Sequence, residues 1–581
     1  MNIGINGIGI VSAIGNDACQ VHCSLVERRS GIGSMQYLRS VHKDLPVGEV
    51  KLSDNQLKDM LGIPQDTVVC RTVLLGTLAI RQALADASVP VPQDAGRVCL
   101  VCGTTVGGMD VTESHYDALM SGDDSLHLMK THDCGACSEQ MAELTGLEGA
   151  QVCTISTACS SALNAISFGA RMLESGETDY VIAGGSEALS QFHLNGFNTL
   201  MILDRGRCRP FDATRAGLNL GEGAAFVVMT RAVDTTPRYG YVTGWGNRCD
   251  AFHQTASSDD GLGARLCMQD ALDMAGLKPS DIPYVNAHGT GTPNNDCSES
   301  QAIRAVFGDA LSLVSSTKSL TGHTTSASGS IEVVLCLMAM QDGLVPAAMG
   351  VDTHDEACVP VLPENRSMEL GHVLCNSFGF GGNDSAIVLS AEPKRKPEVV
   401  LPETGVCVAA ECVVSDVSEL SQLREFVPPM ESRRMGRLLK AAMLTSMRVL
   451  KEGGTECPDA IITATTYGMM ETSMKFLDDM CRGGEQLLGP TLFMQSTHNT
   501  IGSSVAIRLG CHGYNTTYTQ GGKSMEWALR DARDLIRTGR ARTVLVGCHD
   551  EGVELVNRYR ASVGLPPMPE IYSHSILLKA E

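Results

Sequence analysis

Thr154-Ile-Ser-Thr-Ala-Cys159-Ser-Ser-Ala-Leu-Asn164 reads as a strand end, a sharp turn of small residues and a helix that begins at about Ser160. Apolar side chains at Ala162, Leu163, Ala165, Ile166, Ala170 and Leu173 carry helical spacing through residues 160–174. Val98-Cys-Leu-Val-Cys102 upstream and Tyr180-Val-Ile-Ala183 downstream are short apolar runs, as expected of strands covered on both faces. Alternating strands and helices of this kind give an α/β fold of covered sheets. A thiol at such a turn faces the positive end of a helix and free N–H groups. Cys159 is therefore expected to ionise below the ordinary thiol pKa of about 8.5. A buried structural cysteine is the other reading, because the chain has 22 cysteines.

The 581 residues are 43% hydrophobic and 19% charged, which suffices for packed cores and excludes global disorder. Aromatics are only 4%, and the net charge is −21, so non-specific nucleic-acid binding is a poor fit. The cysteines lack short, regular disulfide spacing and read as reduced, intracellular thiols. Met1-Asn-Ile-Gly-Ile-Asn-Gly-Ile-Gly-Ile10 has no basic stretch ahead of its apolar run and reads as a first strand, not a signal peptide. No apolar run reaches the ~18 residues of a membrane span.

Ser175-Gly-Glu-Thr-Asp-Tyr-Val-Ile-Ala-Gly184 resembles Thr538-Gly-Arg-Ala-Arg-Thr-Val-Leu-Val-Gly547, at an offset of 363. Gly103-Thr-Thr-Val-Gly107 resembles Ala464-Thr-Thr-Tyr-Gly468 at 361, and Arg71-Thr-Val-Leu-Leu75 resembles Arg434-Met-Gly-Arg-Leu-Leu439 at 363. Offsets that wander by small indels and return indicate a duplicated fold. Within this sequence no counterpart of residues 240–392 follows the second copy. Pro393-Lys-Arg-Lys-Pro397 through Gly405 is proline-rich and reads as a linker. The expected divisions are 1–240, 241–392, a linker at 393–405, and a degenerate second copy of the first part at 406–581.

Three further stretches can carry chemistry. Val285-Asn-Ala-His288-Gly-Thr290-Gly-Thr292-Pro places a histidine at a strand end, followed by glycines that admit close backbone approach. Lys318-Ser-Leu-Thr-Gly-His323 sets a second histidine before another Ser/Gly-rich helix start that includes Glu332. Asn376-Ser-Phe378-Gly-Phe380-Gly-Gly382 can offer free N–H groups to an oxyanion. Each histidine alone reads equally as structural, and the glycine loop as a tight turn. Gly4, Gly7 and Gly9 mimic a dinucleotide fingerprint only superficially, and no clustered zinc spacing is present.

Thr157-Ala-Cys159-Ser-Ser, Arg209-Pro-Phe-Asp212, Gly221-Glu-Gly223 and the three stretches above, taken in this order, resemble the β-ketoacyl synthases, condensing enzymes of the thiolase superfamily. The resemblance spans residues 1–392. It implies a thiolase-like layered αβαβα fold, with an additional C-terminal thiolase-like half-domain. It implies that Cys159 accepts an acyl group as a thioester. His288 and His323 would stabilise the enolate formed as malonate loses carbon dioxide. Lys318 and Glu332 match a charged pair that orients the second histidine. Backbone N–H groups of Cys159 and Phe380 would form the oxyanion hole, with Phe380 also the gate. Thr290 and Thr292 match hydroxyls that touch a phosphopantetheine arm, and Val106 and Phe378 match further substrate contacts.

Two histidines, not a His/Asn pair, imply malonate on an acyl carrier protein as substrate and partner, with no other cofactor and no metal. The implied product is a 3-oxoacyl-carrier in fatty acid, polyketide or polyene biosynthesis, in the cytoplasm. The carrier would dock on a local basic face, for which Arg205, Arg207 and Arg209 are candidates. In the second copy Gly522 stands where Cys159 stands, followed by Lys523, so that copy is expected to be inactive. It resembles a truncated chain-length factor. Because it contains the family's pairing elements, either a homodimer or an internal pseudo-dimer is expected. The rival readings are a non-catalytic chain-length factor or scaffold subunit, and a thioester hydrolase or acyltransferase using cysteine and histidine alone.

Overall fold

The computed structural model describes residues 2–232, 236–393 and 404–581. Most of the expected linker, residues 394–403, lies outside the described residues. The first part supplies strands β1 (Ile3–Ser12), β2 (Val98–Gly103), β3 (Gln151–Ile155), β4 (Tyr180–Glu187) and β5 (Gly223–Arg231). The second supplies β6 (Tyr241–Cys249), β7 (Tyr284–Asn286), β8 (Leu313–Ser315), the short β9 (Leu344–Val345) and β10 (Arg366–Ser367), β11 (His372–Gly379) and β12 (Asn383–Ser390). The C-terminal copy supplies β13 (Val406–Val414), β14 (Ala460–Ala464), β15 (Tyr514–Tyr518), β16 (Thr543–Asp550) and β17 (Tyr572–Ala580).

Fifteen of these strands form one continuous sheet, ordered β13-β17-β16-β14-β15-β3-β2-β4-β5-β1-β6-β12-β11-β7-β8. It is one five-strand unit used three times. The order β3-β2-β4-β5-β1 of the first part recurs in the copy as β15-β14-β16-β17-β13, and in the second part as β8-β7-β11-β12-β6. Each unit also repeats the turn into its inner helix. Ala158, Thr325 and Gly521 all have positive φ and open short 3-10 turns.

Two of those helices, Ser161–Glu174 and Ser328–Asp342, lie between the sheet segments of the first and second parts. Residues 161–173 and 328–339 are buried throughout. A helix lined with small and apolar residues all round is stable only with protein on every side. Arg71–Asp86 and Leu262–Ala275 cover the outer faces of the two segments, which completes the αβαβα layers. The corresponding helix of the copy, Ser524–Arg537, has a sheet on one side only. It buries Trp527, Ala528, Leu535 and Ile536 and turns Glu526, Arg533 and Arg537 outward. In the copy, the arginine that opens the outer helix is Arg437, not Arg434. Helices Arg71–Asp86 and Arg437–Glu452 are both 16 residues long, so the local offset is 366.

The first part and the copy meet at β3 and β15. Tyr518 pairs antiparallel with Ile155. Ser156 N donates to Thr517 O (2.9 Å), and Thr519 N donates to Thr154 O (3.0 Å). The seam is buried and partly aromatic: Phe168 makes edge contacts with Tyr518 (5.5 Å) and Trp527 (6.0 Å). Trp527 Nε1 donates to Val152 O, and the buried Arg171 guanidinium meets the buried Asp531 carboxylate. The copy therefore continues the sheet from β3, the strand that leads into the Cys159 turn.

Candidate active site

Cys159 sits in the Ala158–Ser160 turn between β3 and helix Ser161–Glu174. Ser377 Oγ donates to Cys159 O at 2.9 Å. Gly379 passes so close that a Cβ there would lie 2.7 Å from Thr157 O and 3.2 Å from Cys159 N. The N–H of Phe380 is directed at the thiol. The expectation of a lowered thiol pKa is corrected here. Burial pushes Cys159 up to about 12, and the Lys318 charge and the Phe380 N–H only partly oppose it. The thiol is therefore held protonated and needs a base to remove its proton.

That base stands beside it. His323 Nε2 lies 3.0 Å from Cys159 Sγ. Its Nδ1 pairs with Ser328 Oγ at 3.0 Å, so Nδ1–H can donate to the serine and leave Nε2 free to accept. His288 faces His323 with ring centroids 5.3 Å apart. Burial, reinforced by Lys318, holds both imidazoles well below the ordinary histidine pKa, hence neutral.

The expected role of Lys318 and Glu332 in orienting the second histidine is also corrected. Lys318 Nζ donates to His288 O at 2.6 Å and lies 3.4 Å from His288 Nδ1, so the pair supports the first histidine. Glu332 bonds Lys318, and both are buried. With an ammonium beside Nδ1, His288 carries its proton on Nε2 and presents a donor to the cavity.

Cys159, His288 and His323 share a cavity of about 400 Å³. Thr290, Thr292, Phe378 and Phe380 line it, as the motifs led us to expect, and Phe378 packs on His288 with centroids 5.8 Å apart. Val106 is placed elsewhere. It lines a separate inner cavity of about 40 Å³ with His193 of the first part and Phe493 and His498 of the copy. Arg205 and Arg207 are exposed, whereas Arg209 is half-buried and pairs with Asp204. Arg205 is already paired with Asp44.

Sequence reading missed several supporting groups. Phe197 stacks on Phe380 (5.5 Å, 20°). Glu299 accepts from His288 N and Gly289 N at 2.8 Å each and fixes the histidine turn. Eleven positions separate it from His288 along the chain, with no spacing rule to reveal it. Cys297, Asp355 and Cys358 bring possible ligand atoms within 4.8 Å of one another. The Arg215 guanidinium already bonds Asp355 (2.6 Å) and Cys297 (3.1 Å), so charge at that cluster is matched without a metal.

Residues 1–235 match the family of β-ketoacyl synthase N-terminal domains, and residues 239–352 match the family of β-ketoacyl synthase C-terminal domains. Among curated proteins, the 3-oxoacyl-[acyl-carrier-protein] synthase 2 of Coxiella burnetii is 34% identical over 407 residues, 66% of this chain and 97% of the relative. The chain belongs to the β-ketoacyl synthase family. The Vibrio cholerae synthase of the same name is 31% identical over 406 residues, again 66% of this chain and 97% of the relative.

A second N-terminal-type domain of the β-ketoacyl synthases matches residues 413–566, so this chain carries two such units. Among solved structures, a ketosynthase in complex with its chain length factor from Xenorhabdus doucetiae is 30% identical, with TM-score 0.59, over 67% of this chain and 98% of that one. The PfaC keto synthase–chain length factor shares the fold across 100% of this chain and 78% of its own, with TM-score 0.81 and 15% identity. Among the described residues, no helix is long and apolar enough to cross a membrane.

Proposed function

We propose that the synthase joins an acyl group held on Cys159 to a malonyl group carried on the phosphopantetheine of an acyl carrier protein. The products are carbon dioxide and a 3-oxoacyl-carrier. In the loading step His323 Nε2 takes the Cys159 proton as sulfur attacks the acyl thioester. The proton then passes to the departing carrier thiol. In the second step the bond from malonyl C2 to its carboxylate breaks, and the electron pair moves into an enolate. Its oxygen faces the Nε2–H of His288 and that of His323, which after loading takes its other neutral tautomer, with Ser328 Oγ–H donating to Nδ1. Neutral, preorganised donors suit a developing oxyanion without neutralising it beforehand. The enolate carbon attacks the thioester. N–H groups of Cys159 and Phe380 receive the tetrahedral oxyanion, and its collapse expels Cys159 thiolate, which regains a proton from solvent.

One observation carries this reading: His323 Nε2 lies 3.0 Å from a buried Cys159 Sγ, with His288 across the same cavity. Thr290 and Thr292 support an arm-binding role on the cavity wall. The C-terminal copy has Gly522 at the position of the thiol, which supports a built-in partner resembling a chain-length factor. The test follows labelled acyl and malonyl carriers. Wild type should hold acyl on Cys159 and release carbon dioxide with a 3-oxo product, and Cys159→Ala should hold none. Free acid without a new carbon–carbon bond would overturn the assignment in favour of hydrolysis. No acyl transfer at all would favour a scaffold subunit.

A further inference from the structure

The loop that offers the Phe380 N–H has glycine at 379, 381 and 382, with φ of +85° at Gly381 and +73° at Gly382. Such a loop has little stiffness of its own and must be held from outside. Residues that follow β6 supply two ties: Gly381 N donates to Gln254 O (2.7 Å), and Asp250 N donates to Gly382 O (2.8 Å). A third tie comes from the inactive copy. Asn499, 1% exposed at the start of helix Thr500–Leu509, donates from Nδ2 to Phe380 O at 2.8 Å. The same amide donates to Asn383 Oδ1 at 2.7 Å, so one group grips both ends of the loop. Asn383 is fixed in turn by donating to Asn515 O at 3.0 Å. A carbonyl oxygen can only accept, which settles that Asn499 presents its NH2 here. The approach is tight: a Cβ on Gly381 would lie 2.1 Å from Ser503 Oγ and 2.8 Å from Asn499 Nδ2.

We propose that Asn499 is a positioning residue for the synthase reaction, supplied by the catalytically empty copy. It holds the Phe380–Gly381 peptide so that the neighbouring Phe380 N–H points at Cys159 Sγ and at the oxyanion formed there. The copy thus completes the active site. The inference rests on the condensation proposed above. Misplacing a donor by about 1 Å costs up to about a hundredfold in rate, so one clamp on a glycine loop has kinetic weight.

The test uses the full-length chain with Asn499→Leu, which keeps volume without a donor, and Asn499→Ser, which keeps a short donor. Two quantities are read: kcat and KM for condensation, and the pH profile of Cys159 alkylation by iodoacetamide. For Asn499→Leu, kcat should fall roughly tenfold or more, with KM for the malonyl carrier within about twofold. Its alkylation profile should move to higher pH, because the sulfur loses a donor, and Asn499→Ser should recover part of both effects. A kcat within about twofold of wild type in Asn499→Leu overturns the proposal. So does a lower kcat with an unmoved alkylation profile. If Asn499→Leu does not fold, Asn499→Ser decides by the same two criteria. If wild type alkylates but does not condense, the proposed reaction fails, and the alkylation arm still decides the role of Asn499.

Discussion

Ala158 and Gly521 hold the same left-handed backbone conformation, with φ of +52° and +53°, at corresponding turns of the two N-terminal-type halves. The residues before them match as well: φ −120°, ψ 45° at Thr157 and φ −118°, ψ 45° at Gln520. Both of those amides donate to the serine that opens the following helix, Thr157 N to Ser161 Oγ (2.9 Å) and Gln520 N to Ser524 Oγ (2.7 Å). The copy has kept the turn and lost the chemistry. A positive φ strains alanine but not glycine. The strained residue persists beside Cys159, and the relaxed one stands where no nucleophile follows.

Restoring sulfur to the copy should therefore restore a thiol and nothing more. Gly522 is exposed, and a Cβ there meets no atom within 4 Å. In a Cys159→Ala background, Gly522→Cys should react readily with iodoacetamide, because no burial suppresses its ionisation. It should accept no acyl group from a carrier. Acyl-enzyme in that double variant would show that the copy retains a working site.

The seam should depend on its buried ion pair. Side chains of Arg171 and Asp531 are 4% and 0% exposed, and Tyr514 and Tyr518 hydroxyls also donate to Asp531 (2.9 and 2.8 Å). Among the described residues, Asp531→Ala leaves the buried guanidinium with Asp534, at 3.5 Å, as its carboxylate partner. A loss of about 3–5 kcal/mol is expected in urea unfolding. Arg171→Met combined with Asp531→Leu should recover much of it. A loss below about 1 kcal/mol for Asp531→Ala would mean the seam does not need this charge pair.

Acid should weaken the contact between the halves. Burial lowers His132, and likewise His498 of the copy, to about 4, and both line the inner cavity. A histidine kept neutral by folding stabilises above its unfolded pKa of about 6.5, and that contribution is lost as pH falls toward about 4. Neighbouring Asp133, pushed up to about 6 by burial, acts with the opposite sign. Melting temperature followed from pH 7 to 4 should therefore fall more steeply in wild type than in His132→Gln/His498→Gln. Parallel curves would remove these imidazoles from the acid response.

The edge that two chains would share is already filled, because β15 pairs with β3. The full chain should therefore sediment as a 61.7 kDa monomer at low concentration. A dimer paired through residues 140–165 of two full-length chains would contradict the pseudo-dimer.

Much of this architecture was legible locally. The Cys159 turn, the strand runs beside it and the Gly522 vacancy depend on residues a few positions apart, where backbone geometry restricts the choice. The outward charges of Ser524–Arg537, against the mostly apolar and small residues of Ser161–Glu174, record whether one sheet or two cover each helix. The ionisation of Cys159 was misjudged because a helix terminus is a local feature, whereas burial is imposed by groups such as His323 and Gly379 from far along the chain. Lys318 was assigned to the wrong histidine for a similar reason: five residues separate it from His323 and thirty from His288, yet packing favours the distant one.

Residue order alone was enough to establish a duplicated α/β chain with one thiol at a working turn and an empty copy behind it. Such features arise from periodicity and short-range backbone preference, which are written along the chain. Folding in three dimensions assigned the base to Cys159, the partner to His288 and the grip of Asn499 on Phe380. Those depend on which surfaces are brought into contact and dried, and no single stretch of chain contains that information.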